Sequence, residues 1–173
     1  LFRENVLYLF AIVFWFLGRG KAYCRQKVGN LADLSALSLP VNKELMDWLN
    51  QRKQEGRTLV LVTAADQKIA HVVAKLCDLF DKVYASDGKL NLQGKNKRDF
   101  LVQQFGEKGF DYVGHCHEDL ATWEVADVAV VVSNNRSLLK AAKSRANVIE
   151  VIAKPKQTFK VWRKALRVHQ YAK

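Results

Sequence analysis

Apolar and polar positions alternate along most of this chain as short apolar runs and longer amphipathic stretches. Glu44 to Arg57 carries Leu45, Trp48 and Leu49 on one helical face and stops at Gly56. Thr58 to Val62 is a branched, apolar run between turn signals, which predicts a buried strand. Asp66 is placed to cap the next helix, with Ile69, Val72, Val73, Leu76 and Leu79 at helical spacing. The order then repeats. Strands are expected over Lys82 to Ala85, Phe110 to Val113, Val128 to Val132 and Val148 to Ile152. Helices are expected over Lys97 to Phe105, Leu120 to Ala126 and Asn135 to Arg145. Strands alternating with helices predict an α/β fold, a doubly wound, mainly parallel sheet covered on both faces. Ligands of such sheets bind at the carboxyl edge of the strands. The loops there are Thr63 to Asp66, Ser86 to Lys97, Gly114 to Asp119 and Ser133 to Asn135.

The amino-terminal region reads differently. Val6 to Leu17 is twelve consecutive apolar residues, closed by Gly18-Arg19-Gly20-Lys21. A bilayer span needs about 20 apolar residues, so this run alone does not cross a membrane. It reads as a buried helix, or one lying against a membrane or a partner, and Tyr23 to Ala36 continues in helical character. Three segments follow: residues 1–41 as a helical cap, 42–153 as the α/β core, and 154–173 as a basic helix.

Composition narrows the class. With 173 residues and 49% hydrophobic content, the chain can bury one core and at most a small added module. Cys24, Cys77 and Cys116 are odd in number and lack CxxC spacing, which fits a reducing compartment rather than a disulfide framework. The only methionine is Met46, and the chain reads as a fragment of a longer protein. The formal charge is +11, concentrated at the end: from Lys154 to Lys173 there are seven basic residues and no acid. Such a stretch is a solvated helix face, a contact for an anionic membrane surface, or a nucleic-acid contact. Nucleic acid is the weakest of these, since no recognition motif accompanies the charge.

Four edge residues are candidates for chemistry. Thr63 ends a strand ahead of small residues and a helix start, where a hydroxyl and backbone N–H groups can hold an anion, or simply cap the helix. Lys97 lies near a helix start, where a cation opposes the helix dipole unless an anion sits beside it. Asp119, with Glu118 as a further candidate, supplies oxygens of the kind Mg2+ prefers. His115, Cys116 and His117 also suggest zinc, but consecutive ligands suit a tetrahedral site poorly.

In order, LVLVTAAD (59–66), YASDGKLNLQGKNK (84–97), FDYVGHCHEDLATWEVAD (110–127) and VVVSNN (130–135) resemble the second to fourth motifs of the haloacid dehalogenase (HAD) phosphohydrolase superfamily. The ASDG, NL and GxxxxDLxxW stretches resemble more closely the HAD-type domain fused ahead of UbiA-type membrane prenyltransferases. Residues 164–173 resemble the approach to the first transmembrane helix of such an enzyme. The resemblance implies Mg2+-dependent hydrolysis of a phosphomonoester, with Thr63 binding the phosphate, Lys97 stabilising nucleophile and phosphate, and Asp119 helping to hold Mg2+. It implies a phosphorylated small molecule or polyprenyl-phosphosugar as substrate, and a domain at the cytoplasmic face of the inner membrane, where lysines and arginines beside a span are favoured.

Two features depart from the pattern. The first motif, a central strand ending in DxD with the aspartate nucleophile, is absent, and residues 1–41 resemble the helical cap that follows it. His115 stands where an acid is common, and an imidazole suits Mg2+ less than a carboxylate. Both departures favour an alternative, a non-catalytic regulatory or scaffolding domain of a membrane prenyltransferase. A receiver domain would lack its acidic phosphoacceptor equally, and no GxGxxG supports a dinucleotide site.

Overall fold

The computed structural model describes residues 6–9, 42–87 and 91–154. The expected helices from residue 10 to 36, and the basic helix beyond Lys154, lie outside the described residues. Six strands form one parallel sheet: β1 (Val6–Leu9), β2 (Thr58–Asp66), β3 (Lys82–Ser86), β4 (Phe110–Gly114), β5 (Ala129–Val132) and β6 (Val148–Ile152). Their order is β3-β2-β1-β4-β5-β6, and every neighbouring pair is parallel. The helices are α1 (Lys43–Gln54), α2 (Gln67–Cys77), α3 (Lys95–Phe105), α4 (Leu120–Val125) and α5 (Arg136–Lys143). The expected doubly wound α/β class holds.

One expectation is corrected. The central position was expected to lack its strand, with Val6 to Leu17 helical throughout. Val6–Leu9 is instead a strand between β2 and β4, pairing with both. A short, uniformly apolar run has no period to separate strand from helix. Two parallel neighbours with unpaired inner edges supply the missing preference, because each buried backbone N–H and C=O needs a partner. The slot is therefore filled, but Val6–Leu9 includes no carboxylate, nor do residues 10–17.

Alternation along the strands sorts the core into two layers. Val60, Val62, Phe110, Tyr112, Ala129 and Val131 face Leu101 of α3, Trp123 of α4 and Leu138 of α5. Leu59, Leu61, Val113, Val130 and Val132 face Leu45 and Leu49 of α1 and Val73 of α2. Both faces of β2, β4 and β5 are covered, which is why Leu59–Val62 of β2 and all of β5 read as continuous apolar runs, while Asp111 interrupts β4.

Local chemistry sets the helix ends. The Asn42 side chain accepts from the Leu45 N–H and donates to the Ala153 carbonyl, tying the start of α1 to the end of β6. Asp66 caps α2 by accepting from the Lys68 N–H. That helix ends earlier than its apolar spacing suggested, because Asp78 turns left-handed at φ 49°, and Leu79 is buried from the following turn. Helix α3 begins at Lys95, before the expected Lys97, because Gly94 at φ 53° makes the turn that starts it. Among the described residues no helix is long and apolar enough to cross a membrane.

Candidate functional site

The chain moves outward from β1 through β2 to β3, then returns to the other side of β1 as β4. Ligand crevices of open parallel sheets form at such a reversal, outside the strand carboxyl ends. Dinucleotide-binding folds share this order, but here Gly18-Arg19-Gly20 is followed by Lys21-Ala22-Tyr23, without the third glycine.

Lys97, Tyr112, His115, Cys116 and Asp119 come together at this edge. Lys97 lies in the first turn of α3 and is 3% exposed. Its Nζ donates to Tyr112 Oη at 3.1 Å and lies 3.5 Å from Asp119 Oδ1. Tyr112 Oη donates to the same oxygen at 2.8 Å. Asp119 closes a single 3-10 turn, His117–Asp119, and is fully buried. Its Oδ2 accepts from the backbone N–H groups of His115 at 2.8 Å and Cys116 at 3.1 Å, and from Cys116 Sγ at 3.2 Å. His115 Nδ1 is 3.7 Å from Oδ2.

The spacing from Gly114 to Trp123 has a steric basis. A Cβ on Gly114 would lie 2.8 Å from Asp119 Cβ and 2.8 Å from Trp123 Cζ2. Only glycine lets the carboxylate and the indole close on the end of β4. Trp123 Nε1 donates to the Tyr112 carbonyl at 3.2 Å, fixing α4 against the strand.

These contacts set the charges. Burial would raise the Asp119 carboxyl, but Lys97, the His115 N–H and Tyr112 together hold it below the usual range. Burial lowers Lys97, against the attraction of Asp119. Burial raises the Tyr112 phenol well above its ordinary value, so it stays a donor. Burial brings His115 down to about 4 although Asp119 opposes it, leaving the ring neutral at pH 7. Burial and the Asp119 carboxylate push the Cys116 thiol up to about 12.

Thr63 is 1% exposed, and its Oγ1 accepts from the Ala65 N–H at 3.0 Å; the expected loop from Thr63 to Asp66 is instead the irregular end of β2, where the register with β3 shifts. Val60 and Tyr112 both pair with Tyr8, so counting three residues on puts Thr63 level with His115 across β1. Thr63 shares the edge with the Asp119 cluster but is separated from it by one strand. Glu118 and His117 are exposed. Tyr112 was legible only as a strand residue; alternation with Phe110 gives its face, but nothing local reveals its bonds to Lys97 and Asp119.

Mg2+ fits the described residues poorly. Asp119 is the one buried carboxylate of this cluster. His115 offers nitrogen, and Glu118 points into solvent exposure away from that burial.

The fold and this cluster define a parallel α/β domain with a buried lysine–aspartate pair at the carboxyl edge of its sheet. No family model matches the chain. The chain is 30% identical over 160 residues to the uncharacterized protein y4nM of Sinorhizobium fredii, covering 92% of this chain and 30% of that protein. It thus spans under a third of the curated relative it matches. Among solved structures it is similar to a probable phosphoserine phosphatase from Vibrio cholerae, with 16% identity, a TM-score of 0.48, and 67% and 39% of the two chains covered. It is also similar to the catalytic domain of the CPx-ATPase CopB-B, with 22% identity, a TM-score of 0.44, and coverage of 61% and 39%. A hydrolase from Streptococcus pneumoniae gives 10% identity, a TM-score of 0.41, and coverage of 95% and 98%.

Proposed function

We propose that this chain is a HAD-like phosphohydrolase-type domain of a longer protein, receiving a phosphate group at the carboxyl edge of its sheet. The observation that carries this reading is the buried Lys97, held by Asp119 and Tyr112 beside the strand reversal. Lys97 supplies positive charge to the phosphate. The irregular end of β2 after Thr63 supplies backbone N–H groups ahead of α2. Asp119 acts through Lys97, keeping its ammonium in place. In the finer reading the substrate is a phosphorylated small molecule or polyprenyl-phosphosugar handled beside an attached UbiA-type prenyltransferase. The basic residues after Lys154 then lie at the membrane surface.

Amide NMR titration with inorganic phosphate tests the binding step. Shifts are expected at Ala64, Ala65 and the first turn of α3, and a folded Lys97→Met variant is expected to lose them. Shifts elsewhere only, or unchanged in Lys97→Met, would sink the reading.

A second reading, a non-catalytic regulatory or scaffolding domain, is favoured by the absence of a carboxylate on β1 and by His115 in the fourth motif. A phosphomonoesterase assay of the longer protein separates the two. Turnover that disappears in Lys97→Met supports the enzyme, and a folded, phosphate-binding but inert protein supports the scaffold.

A further inference from the structure

The 3-10 turn after β4 brings a carboxylate together with a nitrogen and a sulfur ligand, which suit a magnesium site poorly. His115, Cys116 and Asp119 each offer one ligand atom, and these atoms all lie within 4.8 Å of one another. Two of the separations are close to those of a tetrahedral site. Sγ is 3.2 Å and Nδ1 3.7 Å from Oδ2. Around a zinc ion with ordinary bond lengths these become about 3.5 Å and about 3.3 Å. Shifts of a few tenths of an ångström reconcile these two, and the third separation, within 4.8 Å, has to close to about 3.6 Å by side-chain rotation.

We propose that His115, Cys116 and Asp119 form a binding site for a zinc-class divalent cation. The thiol proton lies between Sγ and Oδ2. On binding it leaves to solvent, and the cation takes its place between the same two atoms, with the imidazole as third ligand. The sequence alone suggests a His115, Cys116, His117 set but sets it aside, because consecutive ligands suit a tetrahedral site poorly. The turn instead carries His117 into solvent and returns Asp119 to the cluster. The outer partners are already in place. The N–H groups of His115 and Cys116 hold Oδ2, and Tyr112 and Lys97 hold Oδ1. Such partners orient metal ligands. Nitrogen and sulfur donors select zinc over magnesium. Three protein ligands leave a fourth position, reached from the half-exposed side of Cys116, for water or an oxyanion. The proposal needs only these side chains and does not rest on the phosphate reading.

The chain, prepared metal-free under reducing conditions, is titrated with Co2+ and then Zn2+. The expected result is one Co2+ per chain, with visible bands of four-coordinate cobalt and a sulfur-to-cobalt charge-transfer band, all displaced by Zn2+. Cys116→Ser loses the charge-transfer band, whereas Cys24→Ser, Cys77→Ser and His117→Asn keep it. His115→Asn weakens binding by at least the roughly 10–100-fold that loss of an outer partner costs. A wild-type spectrum without the charge-transfer band, or a band that survives in Cys116→Ser, overturns the site. Should Cys116→Ser fail to fold, X-ray absorption on the zinc-loaded wild type decides. One sulfur among nitrogen and oxygen neighbours supports the site, and no sulfur or more than one overturns it.

Discussion

Two aspartates at opposite ends of the β4 region pair with cations under different conditions. Asp111, near the start of the strand, forms an ion pair with Arg57 on the α1 face. Asp119, just past the end, pairs with Lys97 on the α3 face. Asp119 is the more deeply buried, at 0% exposure against 7% for Asp111. Burial alone would therefore raise it more. The reverse is found: burial outweighs Arg57 and raises Asp111, while Asp119 is lowered. The difference lies in the number of donors. Asp119 is ringed by a phenol, a thiol, two backbone N–H groups and an ammonium, and each donor to the charged form favours it. One partly exposed guanidinium and the Val128 backbone, opposed by the Asp127 charge, do less for Asp111 than this cage does for Asp119.

The largest expected effect comes from opening the cage. Asp119→Asn leaves the Lys97 charge buried without its counter-charge and should destabilise by about 3–5 kcal/mol, read from urea midpoints. A loss below about 1 kcal/mol would mean that Lys97 has little need of Asp119. Acid comes next. His115 titrates near 6.5 when unfolded and at about 4 when folded. Between those values the unfolded chain binds a proton that the folded chain does not. Stability from this group is complete above about pH 6.5 and falls through the interval by about 3 kcal/mol. Asp119, also depressed, extends the loss to lower pH. Denaturant unfolding between pH 7 and pH 4 should show this slope, and a folded His115→Asn variant should flatten it.

Gly114→Ala should cost about 1–3 kcal/mol, because its methyl group would push Asp119 and Trp123 off the strand end. Loss of near-ultraviolet dichroism from Trp123 would accompany the drop in thermal midpoint. The smallest effect is expected at the other aspartate. Asp111→Asn should change stability by about 1 kcal/mol or less, since Arg57 can turn into water. The raised Asp111 also contributes with the opposite sign in acid, since its charge is a cost that protonation removes. If Asp111→Asn proved as damaging as Asp119→Asn, the count of donors would not be what separates the two sites.

Legibility in the sequence follows the same division between local and distant causes. The parallel α/β order, the cap at Asp66, and the edge positions of Thr63, Lys97 and Asp119 depend on periods and short-range chemistry, so they could be read residue by residue. The strand at Val6–Leu9 could not, because a uniformly apolar run becomes a strand only when two neighbouring edges need a partner. Lys97 sits among Lys95 and Arg98, where the sequence suggests a solvated lysine; in the structure it shares the buried face of α3 with Leu101, four residues on.

By itself the sequence determined which segments are strands or helices through most of the chain, and which side chains reach the carboxyl edge of the sheet. Both follow from periodicity and connection rules that act within about 15 residues. Only the tertiary structure decided what those side chains do there. Tyr112 reaches Lys97 across 15 residues of sequence, and Lys97 reaches Asp119 across 22. The approach of Asp119 to β4 depends on an absent Cβ at Gly114. A carboxylate's character depends on the donors that surround it in space, and their assembly belongs to the packing of α3 and the 3-10 turn against β4.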